Sequence, residues 1–204
     1  MQYHQLFLYC NYDGSKSTNR PTFSCFFFNK LHVNRYMIVI DTDEIIVPRT
    51  TSNYSELIAE LDVLRNVTGV PGFQYVFLNI YFFLHLEQDT TKPDYLRTIR
   101  LRHRAPPRSY GYAPKSIVDP RQCSVSFNHY CARYLVRAPN PKLKRTFRAP
   151  FAMASSHHYR NCGKFYSKTC DNVVNVTDDF MLRFEAALDA RVRPILLKLG
   201  VLRT

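Results

Sequence analysis

What the chain lacks narrows its class before any motif is read. No apolar run reaches the roughly 20 residues that a membrane-spanning helix needs. The longest, Val76 to Leu86, is broken by Asn79 and His85. The N-terminus has no basic segment leading into an apolar core and a small-residue cleavage site, so neither an anchor nor a secretory leader is expected within these residues. Cys-x-x-Cys spacing is absent, which argues against a zinc ribbon or a redox dithiol. Acidic residues are scarce: 16 Asp and Glu stand against 28 Lys and Arg, for a net charge of +12. That balance suits polyanions, acidic membrane surfaces and phosphate-bearing small molecules alike. Nucleic acid is the disfavoured partner, because the densest basic stretch, Arg97 to Arg108, has no interleaved aromatic residues, no helix-turn-helix pattern and no zinc-finger spacing. A run of this kind is more often a solvated strand or loop edge.

The 204 residues, 46% of them hydrophobic, can bury one sizeable core. The expectation is an irregular segment over residues 1–22, rich in turn residues, followed by a single domain over 23–204. Six cysteines are an even set, and disulfides fit them better than zinc. Short loops close at least entropic cost, so Cys123 with Cys131 and Cys162 with Cys170 are the first pairings to expect. Asn53-Tyr-Ser55, Asn66-Val-Thr68 and Asn175-Val-Thr177 are glycosylation acceptor patterns. Together these features favour an oxidising lumen, against the alternative of reduced thiols in a cytosolic protein.

The stretch Tyr36 to Pro48, YMIVIDTDEIIVP, organises the rest. Met37 to Ile40 is short, continuous and rich in β-branched residues, which predicts a strand buried on both faces. The run stops on acid. Asp41, Asp43 and Glu44 crowd together, and carboxylates this close repel unless a cation or a basic neighbour offsets them. In open α/β sheets ligands gather beyond the carboxyl ends of strands, so this position suits a divalent metal and an anionic substrate; a solvated polar strand end is the plainer alternative.

Further along, Tyr54, Leu57, Ile58, Leu61 and Leu64 recur at helical spacing, with Gly69, Pro71 and Gly72 ending the helix before a strand-like run from Phe73 to Leu84. Lys115 to His129 predicts two short strands around a turn at Asp119-Pro120, and Arg133 to Arg148 a basic loop broken by Pro139 and Pro141. Ala152 to Arg160 reads as a strand on which only one of His157 and His158 can face a given site, since neighbours alternate. Thr177 is expected to cap a closing helix that Pro194 ends.

In their order, YMIVIDTDEIIVPR (36–49), KSIVDPRQCSVSFNH (115–129), SSHHYRNC (155–162) and FEAALDARVRPILLKLGVL (184–202) resemble the family 92 glycosyltransferases, over roughly residues 23–202. The resemblance implies an α/β fold of the GT-A kind, a mixed sheet flanked by helices. It also implies a Golgi membrane enzyme, lumenal and glycosylated, that moves a sugar, commonly galactose from UDP-galactose, to a glycan acceptor. Asp41 and Asp43 match the family's Asp-x-Asp, which holds manganese or a similar cation against the donor diphosphate. His158 matches its His-Tyr-Arg and is the candidate for a further metal ligand, while Arg160 or Lys115 could pair with phosphate. The catalytic base stays open among Glu44, Glu87 and Asp89. Only forty residues precede Asp41, where such folds place a larger nucleotide-binding half. The expectation is therefore an incomplete N-terminal half, a membrane anchor only in a longer protein, and weak or absent turnover.

Two other readings compete. A phosphatase of the haloacid dehalogenase type also places Asp-x-Asp after an apolar strand, but it wants a second acidic strand end, and Asp178 and Asp179 read as the start of a helix. A lumenal binding module could keep the transferase scaffold without turnover.

Overall fold

A computed structural model of the chain describes residues 35–70, 74–110, 113–126, 129–135, 146–162 and 176–202. The irregular segment 1–22, the loop at Pro139 and Pro141, Cys170 and Asn175 lie outside the described residues. Contacts divide the chain into two units, residues 1–79 with 108–157 and residues 80–107 with 158–204.

The first unit is built on β1 (Met37–Ile38), β2 (Glu44–Pro48), α1 (Tyr54–Thr68) and β3 (Gln74–Phe77). Later in the chain come β6 (Lys115–Val118), β7 (Cys123–Ser126), β8 (Cys131–Tyr134) and β9 (Thr146–Arg148). The strand order β1-β6-β3-β9 makes a mixed sheet: β6 runs antiparallel to β1 and β3, and β9 runs parallel to β3. The predicted two-faced strand is present, and its alternation explains the continuous apolar run. Ile38 packs with Leu57, Leu61, Tyr75 and Ile117 on the α1 side, with Ile40 against them. Met37 and Val39 pack on the opposite side with Val118, Cys123 and Cys131. Cys123 and Cys131 form a disulfide across the β7–β8 hairpin, with Cα atoms 5.9 Å apart, as their spacing predicts. The strand leading into the acidic turn thus lies between a helix and a disulfide-closed hairpin.

Helix α1 starts and stops as its sequence dictates. Asn53 caps it by accepting the Glu56 backbone N–H at 3.0 Å, and Gly69, in the left-handed region at φ 64°, terminates it. Its inner face is riveted by polar contacts as well as by Leu57 and Leu61. Tyr54 donates to the Ile46 carbonyl at 2.6 Å, and Asp62 accepts from the phenols of Tyr36 and Tyr75 while pairing with Arg65 at 2.9 Å.

The strand-like run Phe73 to Leu84 divides at Leu78 into β3 and β4 (Asn79–Phe83), which join different sheets. The break turns the carbonyl of Leu78 to the Ser156 N–H at 2.8 Å, on β10 (Ala154–Arg160). Strands β2, β10 and β4 form a three-stranded sheet in that order.

The second unit departs from expectation in three places. Arg97 to Arg108 is not a solvated edge. It forms a one-turn helix α2 (Arg97–Arg100) and β5 (His103–Arg104), which pairs with β11 (Val176–Thr177). Three of its five arginines meet acids: Arg104 lies 2.6 Å from buried Asp178, Arg102 2.6 Å from Asp179 and 3.2 Å from Asp89, and Arg100 pairs with Asp94. Thr177 is not a helix cap, because it is held in the β11–β5 ladder. Asp178 accepts the Phe180 N–H at 3.2 Å, and Asp179 is the N-cap, without a side-chain bond, of a 3-10 turn (Phe180–Phe184) that leads into α3 (Glu185–Lys198). Pro194 does not end α3. Proline removes one backbone donor, but later donors still find acceptors: Leu199 bonds Ile195 at 2.9 Å, and Gly200 and Val201 bond Leu197 and Leu196 in a Schellman-type stop, with Gly200 at φ 69°. Among the described residues no helix is long and apolar enough to cross a membrane.

Leu61, with 0% exposure between α1 and the sheet, is the sharpest test of this packing. Leu61→Ala should cost about 2–5 kcal/mol in urea unfolding. A loss below about 1 kcal/mol, the size of an ordinary surface change, would contradict the assigned core.

Candidate active site: an acidic turn on a buried lysine

Antiparallel pairing places the start of β6 beside the end of β1, so Lys115 meets the acids that follow Ile40. Its side chain is fully buried, and its ammonium lies 2.5 Å from Glu44 Oε2 and 3.0 Å from Asp41 Oδ2. Glu44 closes the turn on itself. Its Oε2 accepts the Asp41 N–H at 3.1 Å, and its own N–H donates to the Asp41 carbonyl at 3.2 Å. The Glu44 side chain is 1% exposed and that of Asp41 56%, so the pair is graded from interior to solvent. Asp43 is exposed on the same turn. The counter-charge that this crowding of carboxylates requires is supplied, for Asp41 and Glu44, by a lysine.

His129 joins this group although its sequence position singles out no role for it. The Ser116 hydroxyl donates to the His129 carbonyl, and His129 Nδ1 lies 3.1 Å from the Pro114 carbonyl. A carbonyl can only accept, so Nδ1 carries the proton and Nε2 the lone pair. Burial, then the charge of Lys115, pushes the imidazole below its usual value, and it is neutral at physiological pH. The signal that could have found it is the hairpin closed by Cys123 and Cys131, which returns the chain to the residues flanking Lys115.

The other expected site residues belong to the second unit. His158 and Arg160 sit on the same face of β10, as strand alternation requires. Both pack on Tyr81: the His158 ring is 5.1 Å from its centroid and the Arg160 guanidinium 5.7 Å. His157, on the alternate face, is fully buried. The three candidate bases separate by environment. Glu87 is 84% exposed and 4.0 Å from His103. Asp89 accepts from the Thr91 hydroxyl and N–H and then from Arg102, which holds its carboxyl below the usual range. Of the three, Glu44 alone lies in the acidic turn. The second acidic strand end that a phosphatase wants is in fact present after β11, but its carboxylates are joined to Arg104 and Arg102.

A cation at Asp41 and Asp43 fits the donor set. Both offer hard carboxylate oxygens on a turn reached from solvent. Ions of the magnesium and manganese type are commonly held by one or two carboxylates, with water and substrate phosphate completing the shell. Among the described residues no three His, Cys, Asp or Glu side chains gather as a metal cage.

The two carboxyls at Lys115 shift in opposite directions. Burial works to raise Asp41, but the hydrogen bond and charge of Lys115 outweigh it and bring the group below its ordinary value. For Glu44 burial outweighs Lys115, and the group rises. Stability contributed by a depressed carboxyl is present above its unfolded value and lost as pH falls through the folded one; that of a raised carboxyl is present at low pH and lost as pH rises through its folded value. Carboxyl-carbon NMR should therefore show Glu44 titrating above the ordinary range and Asp41 below it. The reverse order would mean that Lys115 serves Glu44 alone.

The profile of glycosyltransferase family 92 matches residues 20–191, a span that holds the acidic turn, Lys115, His129 and the β10 histidines. No curated protein matches the chain. The matched span covers most of the sequence and agrees with its mixed α/β architecture: the chain belongs to glycosyltransferase family 92.

Proposed function

We propose that the chain moves a sugar, galactose by the family resemblance, from a uridine diphosphate donor to a glycan acceptor, using manganese or a similar divalent cation at Asp41 and Asp43. The observation that carries this reading is the turn itself. It presents two accessible carboxylates from a base held by β1, β6 and Lys115, inside the span that matches a family of glycosyltransferases. When bound, such a cation supplies Lewis-acid neutralisation of the charge that develops on the departing diphosphate.

The chain's own residues divide the remaining work. Asp41 is oriented before any ligand arrives, because Lys115 fixes its carboxylate and Glu44 fixes its backbone N–H. Pre-set geometry matters here, since a displacement of an ångström can cost roughly a hundredfold in rate. Lys115, with no exposed surface, contributes its charge to the field at the turn rather than a direct phosphate contact. By the family resemblance alone, Arg160, whose forked donors suit phosphate, and His158, whose imidazole suits a metal, stay proposed for those two roles. A Golgi lumen is the proposed location, supported by the Cys123–Cys131 disulfide, which persists in oxidising compartments.

Asp43 is the residue to remove, because it is exposed on the turn and its side chain carries one of the two carboxylates proposed to hold the cation. Asp43→Ala should weaken manganese-dependent binding of uridine diphosphate by at least roughly tenfold while leaving thermal stability unchanged within about 0.5 kcal/mol. Equal affinity in parent and variant would sink the assignment of the turn.

A further inference from the structure

We propose that the buried Lys115–Glu44 pair sets the cation affinity of the turn: Lys115 is a built-in competitor for Asp41, and Glu44 holds that competitor partly neutralised. This rests on reading the turn as a cation site. Lys115 Nζ sits 3.0 Å from Asp41 Oδ2, so a divalent cation arriving at that carboxylate meets a like charge at close range. The ammonium itself is fully buried, so its field at Asp41 is screened less than that of a surface charge. Glu44 Oε2, closer to the ammonium at 2.5 Å, draws the charge towards the interior and away from Asp41. Lys115 touches no solvent and so acts through Asp41, as a positioning residue.

The arrangement has a consequence for the donor. A retained positive charge beside Asp41 weakens binding of a free cation but favours a cation that arrives with an anionic diphosphate. Metal and nucleotide therefore strengthen each other's binding, and by linkage the coupling is reciprocal. The pair makes the site selective for the metal–nucleotide complex over either component.

The test uses two substitutions with opposite expected signs. Glu44→Gln removes the neutralising carboxylate, leaves Lys115 to Asp41 alone, and should weaken manganese binding roughly tenfold in calorimetric titration. Lys115→Met combined with Glu44→Gln removes both charges and leaves no buried ion unpaired; it should bind manganese more tightly than the parent and show a smaller enhancement when uridine diphosphate is added. Lys115→Gln with Glu44→Gln, which keeps hydrogen bonding across the pair, carries the same expectation should methionine prove unfoldable there. A merely structural pair predicts unchanged or weaker binding in both variants, and a double variant no tighter than the parent overturns the proposal. A parent chain that binds no manganese, with or without uridine diphosphate, overturns the cation reading of the turn and the proposal with it; a parent that binds alongside variants in the wrong order overturns the proposal alone.

Discussion

A lysine ammonium with no exposed surface is the constraint on which the first unit depends. Taking such a charge out of water costs several kcal/mol, and the pairing that offsets it must be close and complete. Lys115 finds Glu44 and Asp41 within 3.0 Å, but only because β6 starts where β1 ends and because the turn between β1 and β2 folds Glu44 inward. That register in turn requires β1 to be fixed on both faces, by Leu57 and Leu61 of α1 on one and by the disulfide hairpin on the other. The apolar core and the polar site are therefore one construction. Glu44 closes the cycle, since it serves the lysine and the Asp41 N–H together.

The same economy of charge recurs in the second unit. In a basic stretch expected to face solvent, Arg100, Arg102 and Arg104 instead pair with Asp89, Asp94, Asp178 and Asp179. The buried member of that set, Arg104 with Asp178, joins β5 to the residue after β11, and Asp178 also accepts the Phe180 N–H. Much of the net positive charge of the chain lies elsewhere, on residues beyond these pairs, so net charge alone is a poor guide to where an anionic ligand would dock.

The features legible in the sequence are those that a local pattern encodes. Helix α1 is readable because its apolar residues, its Asn53 cap and its Gly69 stop agree with one another. The strand before Asp41 is readable because β-branched residues run unbroken, and the Cys123–Cys131 pairing because a short loop closes at little entropic cost. What escaped reading depended on partners distant in sequence. Nothing local distinguishes Lys115 in KSIV from an exposed lysine; its burial follows from where β6 docks. His129 carries no motif of its own and reaches the site through the hairpin return. Pro194 and Thr177 mislead for a related reason. A single missing donor does not stop a helix whose later donors are satisfied, and a residue with good capping chemistry can be claimed first by a strand.

Diffraction from crystals soaked with manganese and uridine diphosphate, recorded where manganese scatters anomalously, tests the central claim most directly. The account predicts an anomalous peak within coordination distance of the Asp41 and Asp43 carboxylates, with Lys115 still in contact with Glu44. A manganese–nucleotide complex bound elsewhere, with the turn unchanged and unoccupied, would contradict it.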